Sequence, residues 1–196
     1  MKREPDSERR LDGAQDAELE NEVFEHESFR GADLSGIRTT RCRFEACDFS
    51  NAKLNGSEHR GSDFANSVLE SVNLFGASFE DCRLLGVDFT AAVLTGWTVT
   101  RGDLSYAVLR GHDLSGLDLR EVRAREADFS ESSLADADLR GADLSRARLF
   151  NTELRGADLR EATLDGVDLA AARVEGATLD LAGAVQLARS LGAEVA

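Results

Sequence analysis

Large apolar side chains recur at every fifth position from Phe24 to Leu179, through 32 consecutive steps without an insertion or deletion. Twenty-seven of these positions are Phe or Leu, Val99 and Val174 are aliphatic, and the exceptions are Thr39, His59 and Ala124. An amphipathic helix repeats about every 3.6 residues and a half-buried strand about every 2, so a strict five fits neither. Two residues before each large residue stands a mostly small one, as at Ala32, Ala52, Ala142 and Ala157, and the remaining three positions are largely polar. A large and a small side chain therefore point inward while three point out. That describes one side of a polygonal coil.

Glycine gives the number of sides. Two residues after the large position, one column holds Gly36, Gly56, Gly76, Gly96, Gly116, Gly156 and Gly176, interrupted only by Asp136. Glycine suits a corner that needs a positive φ or a close backbone approach, so the same corner returns every 20 residues. The pattern predicts an all-β solenoid, square in section, of about eight coils. At about 4.8 Å per coil it is roughly 40 Å long.

Composition changes the picture at the ends. Residues 1–22 are densely charged with little apolar periodicity, and are expected to form a flexible arm. After the solenoid, 23–179, the segment 180–196 predicts a short helix with Asp180 as N-cap and Gly192 near its C-cap. That helix would set Leu181, Ala184, Val185, Ala188 and Leu191 on one face. The chain lacks an apolar run of membrane-spanning length and a signal-peptide core, so a cytoplasmic location is expected. Its net charge of -14 disfavours nucleic acid and anionic membrane and favours a basic partner.

The units "GADLS", "RGADL" and "VNLFG" resemble the pentapeptide repeat family. The stretches "EHRGSDF", "FTAAVLTG", "LRGHDLSGLDL" and "LDLAGAVQLARSLG" look like its MfpA-type (Qnr-like) fluoroquinolone-resistance branch. The resemblance implies a right-handed quadrilateral β-helix and a homodimer joined through the C-terminal helix. It also implies a rod with the size and shape of B-form DNA that binds DNA gyrase and reduces quinolone action. Projecting loops of the Qnr type have no place in this unbroken register.

Residue chemistry gives little support to an enzyme or a cofactor. Cys42, Cys47 and Cys82 all occupy small inward positions and are expected to be buried apolar residues. His59 and His112 are inward in different columns and His26 is outward, so none forms a ligand pair or a nucleophile–base pair. No catalytic, metal or cofactor residue is assigned.

Charge supports DNA mimicry only in sign. Residues 23–179 carry a net charge of -9, whereas duplex DNA carries roughly 24 negative charges over 40 Å. By side, the outward charges sum to -2, -3, -2 and -1. Asp128, Asp138, Asp143, Asp158 and Asp168, near the expected dimer centre, are the candidate contacts for gyrase. The rival expectation is a structural or scaffolding repeat protein with an unrelated partner.

Overall fold

The computed structural model describes residues 13–195, and over them the five-residue period closes into a parallel β-solenoid. Each coil bonds to the next with a register of 20. One ladder alone passes through eight rungs, Val23, Arg43, Asp63, Arg83, Asp103, Arg123, Asp143 and Thr163. We name the four sides by their inward columns: A holds Phe24 and Phe44, B Phe29 and Phe49, C Leu34 and Leu54, and D Leu19 and Thr39.

Seven short strands are regular enough to number: β1 (Glu18–Glu20), β2 (Val23–Glu25), β3 (Arg38–Thr40), β4 (Arg43–Glu45), β5 (Glu58–Arg60), β6 (Ser78–Glu80) and β7 (Thr98–Thr100). β1, β3, β5, β6 and β7 form one parallel sheet on side D, and β2 pairs with β4 on side A. Elsewhere single parallel bridges join successive coils, with one step on sides C and D left unbridged among the described residues.

Corners follow one rule. The residue two after each large position as far as Leu164 is left-handed, at Gly36 (φ 68°) and also at Asn51 (φ 60°) and Glu161 (φ 62°), whereas Ala171 falls in a helical turn. The next amide then closes onto the large residue's carbonyl, as from Ala32 N to Phe29 O (3.0 Å) and from Ala52 N to Phe49 O (2.9 Å). A residue with a Cβ loses about 1–2 kcal/mol in this conformation, which the ladders on either side offset. Glycine eases the corner without being required there.

The solenoid begins earlier than the charge pattern suggests. Residues 18–20 pair in parallel with 38–40, and Ala14, Ala17 and Leu19 pack against the core. The latter part of the expected 1–22 arm is thus already coil, because Ala17 and Leu19 extend the small–large register by one more step. Residues 1–12 of that arm lie outside the described residues.

Like stacks on like in the interior. Phe24 and Phe44 are parallel at 5.0 Å between centroids, Phe44 and Phe64 at 4.8 Å, and neighbouring columns meet edge-on, as Phe44 and Phe49 do at 5.5 Å. Such edge-on contacts suit the aromatic quadrupole. The last coil contains a helical turn at Leu169–Ala171 and is followed by α1 (Leu181–Ser190).

Asp180 caps α1 by accepting from Gly183 N (2.9 Å), and its other oxygen accepts from Glu161 N (2.8 Å) in the coil above. At the far end Leu191 is the cap and Gly192 follows with φ 85°. Ala193 N reaches Ala188 O and Gly192 N reaches Arg189 O, both at 2.9 Å, the paired bonds of a Schellman ending.

Candidate functional site: the acidic sides and the outer face of the terminal helix

The aspartates that give the chain its charge have a local structural task. In the unit A-D-L the aspartate precedes the large residue, and one of its oxygens accepts the amide two residues on. Asp128 accepts from Ser130 N (3.0 Å), Asp138 from Arg140 N (3.2 Å), Asp143 from Ser145 N (3.1 Å), Asp158 from Arg160 N (3.2 Å) and Asp168 from Ala170 N (3.1 Å). All five candidate contact residues are therefore turn-forming residues. Asn73 makes the same bond to Phe75 N at 3.0 Å, so the charge is not what the turn needs.

The five do not share a surface. Asp143 lies on side A, Asp128 and Asp168 on side B, and Asp138 and Asp158 on side D, where the last two are bridge partners in adjacent coils. Asp128 has a side chain only 12% exposed, with Arg110 and Arg148 each 3.8 Å away. Asp143 is paired with Arg125 at 3.0 Å. Asp168 accepts the Ala170 amide at the start of the Leu169–Ala171 turn.

Side D carries the most ordered charge. Asp118, Asp138 and Asp158 each hold the guanidinium two residues on, with Nη2 to Oδ2 distances of 2.6 Å for Arg120 and Arg140. Each of the first two arginines also approaches the aspartate of the next coil, both at 3.7 Å. The Arg160 guanidinium hydrogen-bonded to Asp158 holds that carboxyl down to about 2. On side A, arginine and aspartate alternate rung by rung from Arg43 to Asp143, with Arg83–Asp63 at 3.2 Å and Arg123–Asp103 at 3.5 Å. Carboxylates so paired present less net charge than a count of acids implies.

Inward histidine and hydroxyl side chains are satisfied core. His59 is buried, its ring stacked on Phe79 at 4.6 Å, its Nδ1 2.7 Å from Thr39 Oγ1 and its Nε2 2.9 Å from Ser57 Oγ. Thr39 Oγ1 in turn lies 3.0 Å from Ser62 Oγ, so the two exceptions in column D complete one hydroxyl–imidazole network. The cysteine thiols point at carbonyls, Cys82 at His59 O (3.3 Å) and Cys47 at Phe24 O (3.5 Å). Burial pushes Cys47 up to about 11 and Cys82 up to about 12, which suppresses the thiolate a nucleophile or metal ligand would need. Among the described residues no group of three or more His, Cys, Asp or Glu is placed to hold a metal ion, and no helix is long and apolar enough to cross a membrane.

The terminal helix has two faces. The one that seals the solenoid is Gly183, Gln186, Leu187 and Ser190: Gln186 Nε2 donates to Val167 O (2.7 Å) and Ser190 Oγ accepts from Leu169 N (3.1 Å). The other carries Leu181, Ala184, Val185, Ala188 and Leu191, with Leu181 82% and Leu191 71% exposed. A polar, hydrogen-bonding cap face was missed in the sequence because an apolar spacing alone does not say which side of a helix meets the core.

The period, corner rule and inward columns now meet comparison with known proteins. The model for pentapeptide repeats matches residues 28–64, 42–84, 102–141 and 142–180, more than half of the chain. The chain belongs to the pentapeptide repeat family. Within that family, two trypsin-treated forms of QnrB1, a plasmid-mediated fluoroquinolone resistance protein, superpose with TM-scores of 0.82 and 0.83. Each is 26% identical, and the match covers 94% of this chain and 93% of QnrB1. Full-length QnrB1 shares the fold with a TM-score of 0.71 at 24% identity, over 91% of this chain and 92% of its own. No curated protein matches the chain in sequence.

Proposed function

We propose that this pentapeptide repeat protein is a non-enzymatic binder of DNA gyrase that acts in the cytoplasm and lessens the action of fluoroquinolones or of a natural gyrase poison. The observation that carries the reading is the superposition on QnrB1 along almost the whole chain. An acidic rod of stacked coils supports it in shape and sign. The rod occupies the basic surface on which gyrase holds DNA, and so competes with DNA or destabilises the drug-trapped cleavage complex.

Two copies join through the outer face of α1, covering Leu181 and Leu191 across a twofold axis. The side D aspartates Asp138 and Asp158 are the contacts of first choice, since they are adjacent on one side and partly exposed. Asp143 and Asp168 face other sides, and Asp128 is largely enclosed.

The test is a gyrase supercoiling assay with increasing protein, repeated with ciprofloxacin while cleaved DNA is scored. Slower supercoiling together with fewer drug-induced breaks is the expected result. No effect on either removes gyrase as the target.

A further inference from the structure

The ladder joining successive coils is interrupted in the middle of the rod. On sides A and B the step is bonded in the usual way, from Leu84 N to Asp103 O (2.7 Å), Gly86 N to Ser105 O (2.8 Å) and Phe89 N to Val108 O (3.0 Å). On sides C and D, among the described residues, no backbone hydrogen bond or bridge links 91–101 to 110–121. The same positions are joined one coil earlier, where Leu74 N meets Val93 O (2.9 Å) and Asp81 N meets Thr100 O (2.9 Å). One coil later they are joined again, Leu114 N to Ser133 O and Leu119 N to Asp138 O, both at 2.8 Å.

Side-chain volume accounts for the gap. The small inward column of side D runs Ala77, Trp97, Leu117, Ala137, and that of side C runs Ala92, His112, Ser132. Three bulky residues therefore stand in small positions, directly across the interrupted step. Gly102 makes room for Val99, since a Cβ there would lie 2.7 Å from Val99 Cγ1. Nothing comparable relieves Leu117 below Trp97.

His112 acts as a strut. Its Nε2 donates to Phe89 O at 2.9 Å, the bond that Ser67 Oγ makes to Phe44 O (2.6 Å) and Thr152 Oγ1 to Phe129 O (2.8 Å) in other coils. The imidazole nitrogen stands two bonds farther from its backbone than a hydroxyl does. Overfilled cores move backbone when side chains cannot yield, and here the coils part. Trp97 Nε1 is buried without a partner, and the match to the family pattern lapses over 85–101. On side D the parting ends in a cleft of about 230 Å³ lined by Thr100, Arg101, Asp118, Arg120 and Glu121.

We propose that this junction is a hinge, at which the rod bends by opening and closing the corner between sides C and D about the bonded sides A and B. Solenoid repeats touch only their neighbours, so a single weakened step divides the molecule into two stiff halves. A rod of this kind adjusts its curvature to the surface it lies on while keeping every side in register. The inference is independent of what that surface is.

Paired spin labels in the full chain test it. Lys53→Cys with Asp113→Cys spans the step on side C, and Arg43→Cys with Asp103→Cys spans it on side A, three coils or about 14 Å in each case. A broad distance distribution on side C beside a narrow one on side A is expected; equal widths on the two sides overturn the hinge. In a second variant, Trp97→Ala, His112→Ser and Leu117→Ala together restore small residues to the columns. Closure of the ladder is expected to narrow the side C distribution and slow hydrogen exchange at Leu94, Gly96 and Val99 by at least 100-fold. A folded variant in which neither changes overturns it as well, and if this variant does not fold the labelled pairs decide alone.

Discussion

At the scale of single residues, the acid that a DNA mimic would use and the acid that this backbone needs are the same side chain. Substituting lysine for a side D aspartate removes a turn bond together with a charge, and so confounds folding with recognition. Asn73 shows the way round. Asp138→Asn with Asp158→Asn is expected to keep the melting temperature nearly unchanged while weakening inhibition of gyrase supercoiling several-fold. The two alanine replacements should instead each cost about 0.5–1.5 kcal/mol in chemical denaturation. His59 offers a second prediction. Burial pushes its imidazole down from 6.5 to about 3, so the folded protein refuses a proton that the unfolded chain accepts. Stability is unaffected well above pH 6.5 and falls as pH drops from there toward 3, by up to about 1.4 kcal/mol per pH unit. Denaturation at pH 7 and pH 5.5 should show this loss in the wild type and much less of it in His59→Phe, the residue that Phe79 supplies one coil on.

At the scale of elements, one carboxylate both caps α1 and joins its start to the solenoid, while Gln186 and Ser190 hold its later turns. Asp180 caps the helix and holds the Glu161 amide, and both bonds lower its pKa. Asp180→Ala is expected to cost about 1 kcal/mol and to loosen the helix ahead of the coils, seen as faster exchange at 183–191 than at the ladder amides. This cap was legible in the sequence, as were the inward columns and the buried cysteines, which follow from spacing within a few residues, and the square section, which follows from glycine returning at the same corner every 20 residues. The interrupted ladder was not. The decisive neighbour of Trp97 is Leu117, twenty residues away in sequence and next to it in the stack. The bonds of the aspartates were not legible either, because the amide each one accepts depends on corner geometry that no charge pattern encodes. Similarly, the early start of the solenoid was hidden because the charges around Ala17 and Leu19 mask the register they continue.

At the scale of the whole molecule, two exposed leucines on the outer face of the terminal helix ask for a partner. Leu181→Asp with Leu191→Asp leaves the capping face of Gly183, Gln186, Leu187 and Ser190 untouched. The variant is expected to stay folded and to sediment as a monomer at concentrations where the wild type sediments as a dimer. Wild-type sedimentation as a monomer would remove the proposed homodimer.

The unbroken 20-residue register also makes the chain a ruler. Adding or removing one complete coil changes its length by about 4.8 Å and returns every later residue to the side it left. Adding five residues instead turns everything downstream by a quarter revolution, carrying the outer face of α1 to a different side of the rod. Length and facing can thus be varied separately in this architecture, in steps of twenty and of five.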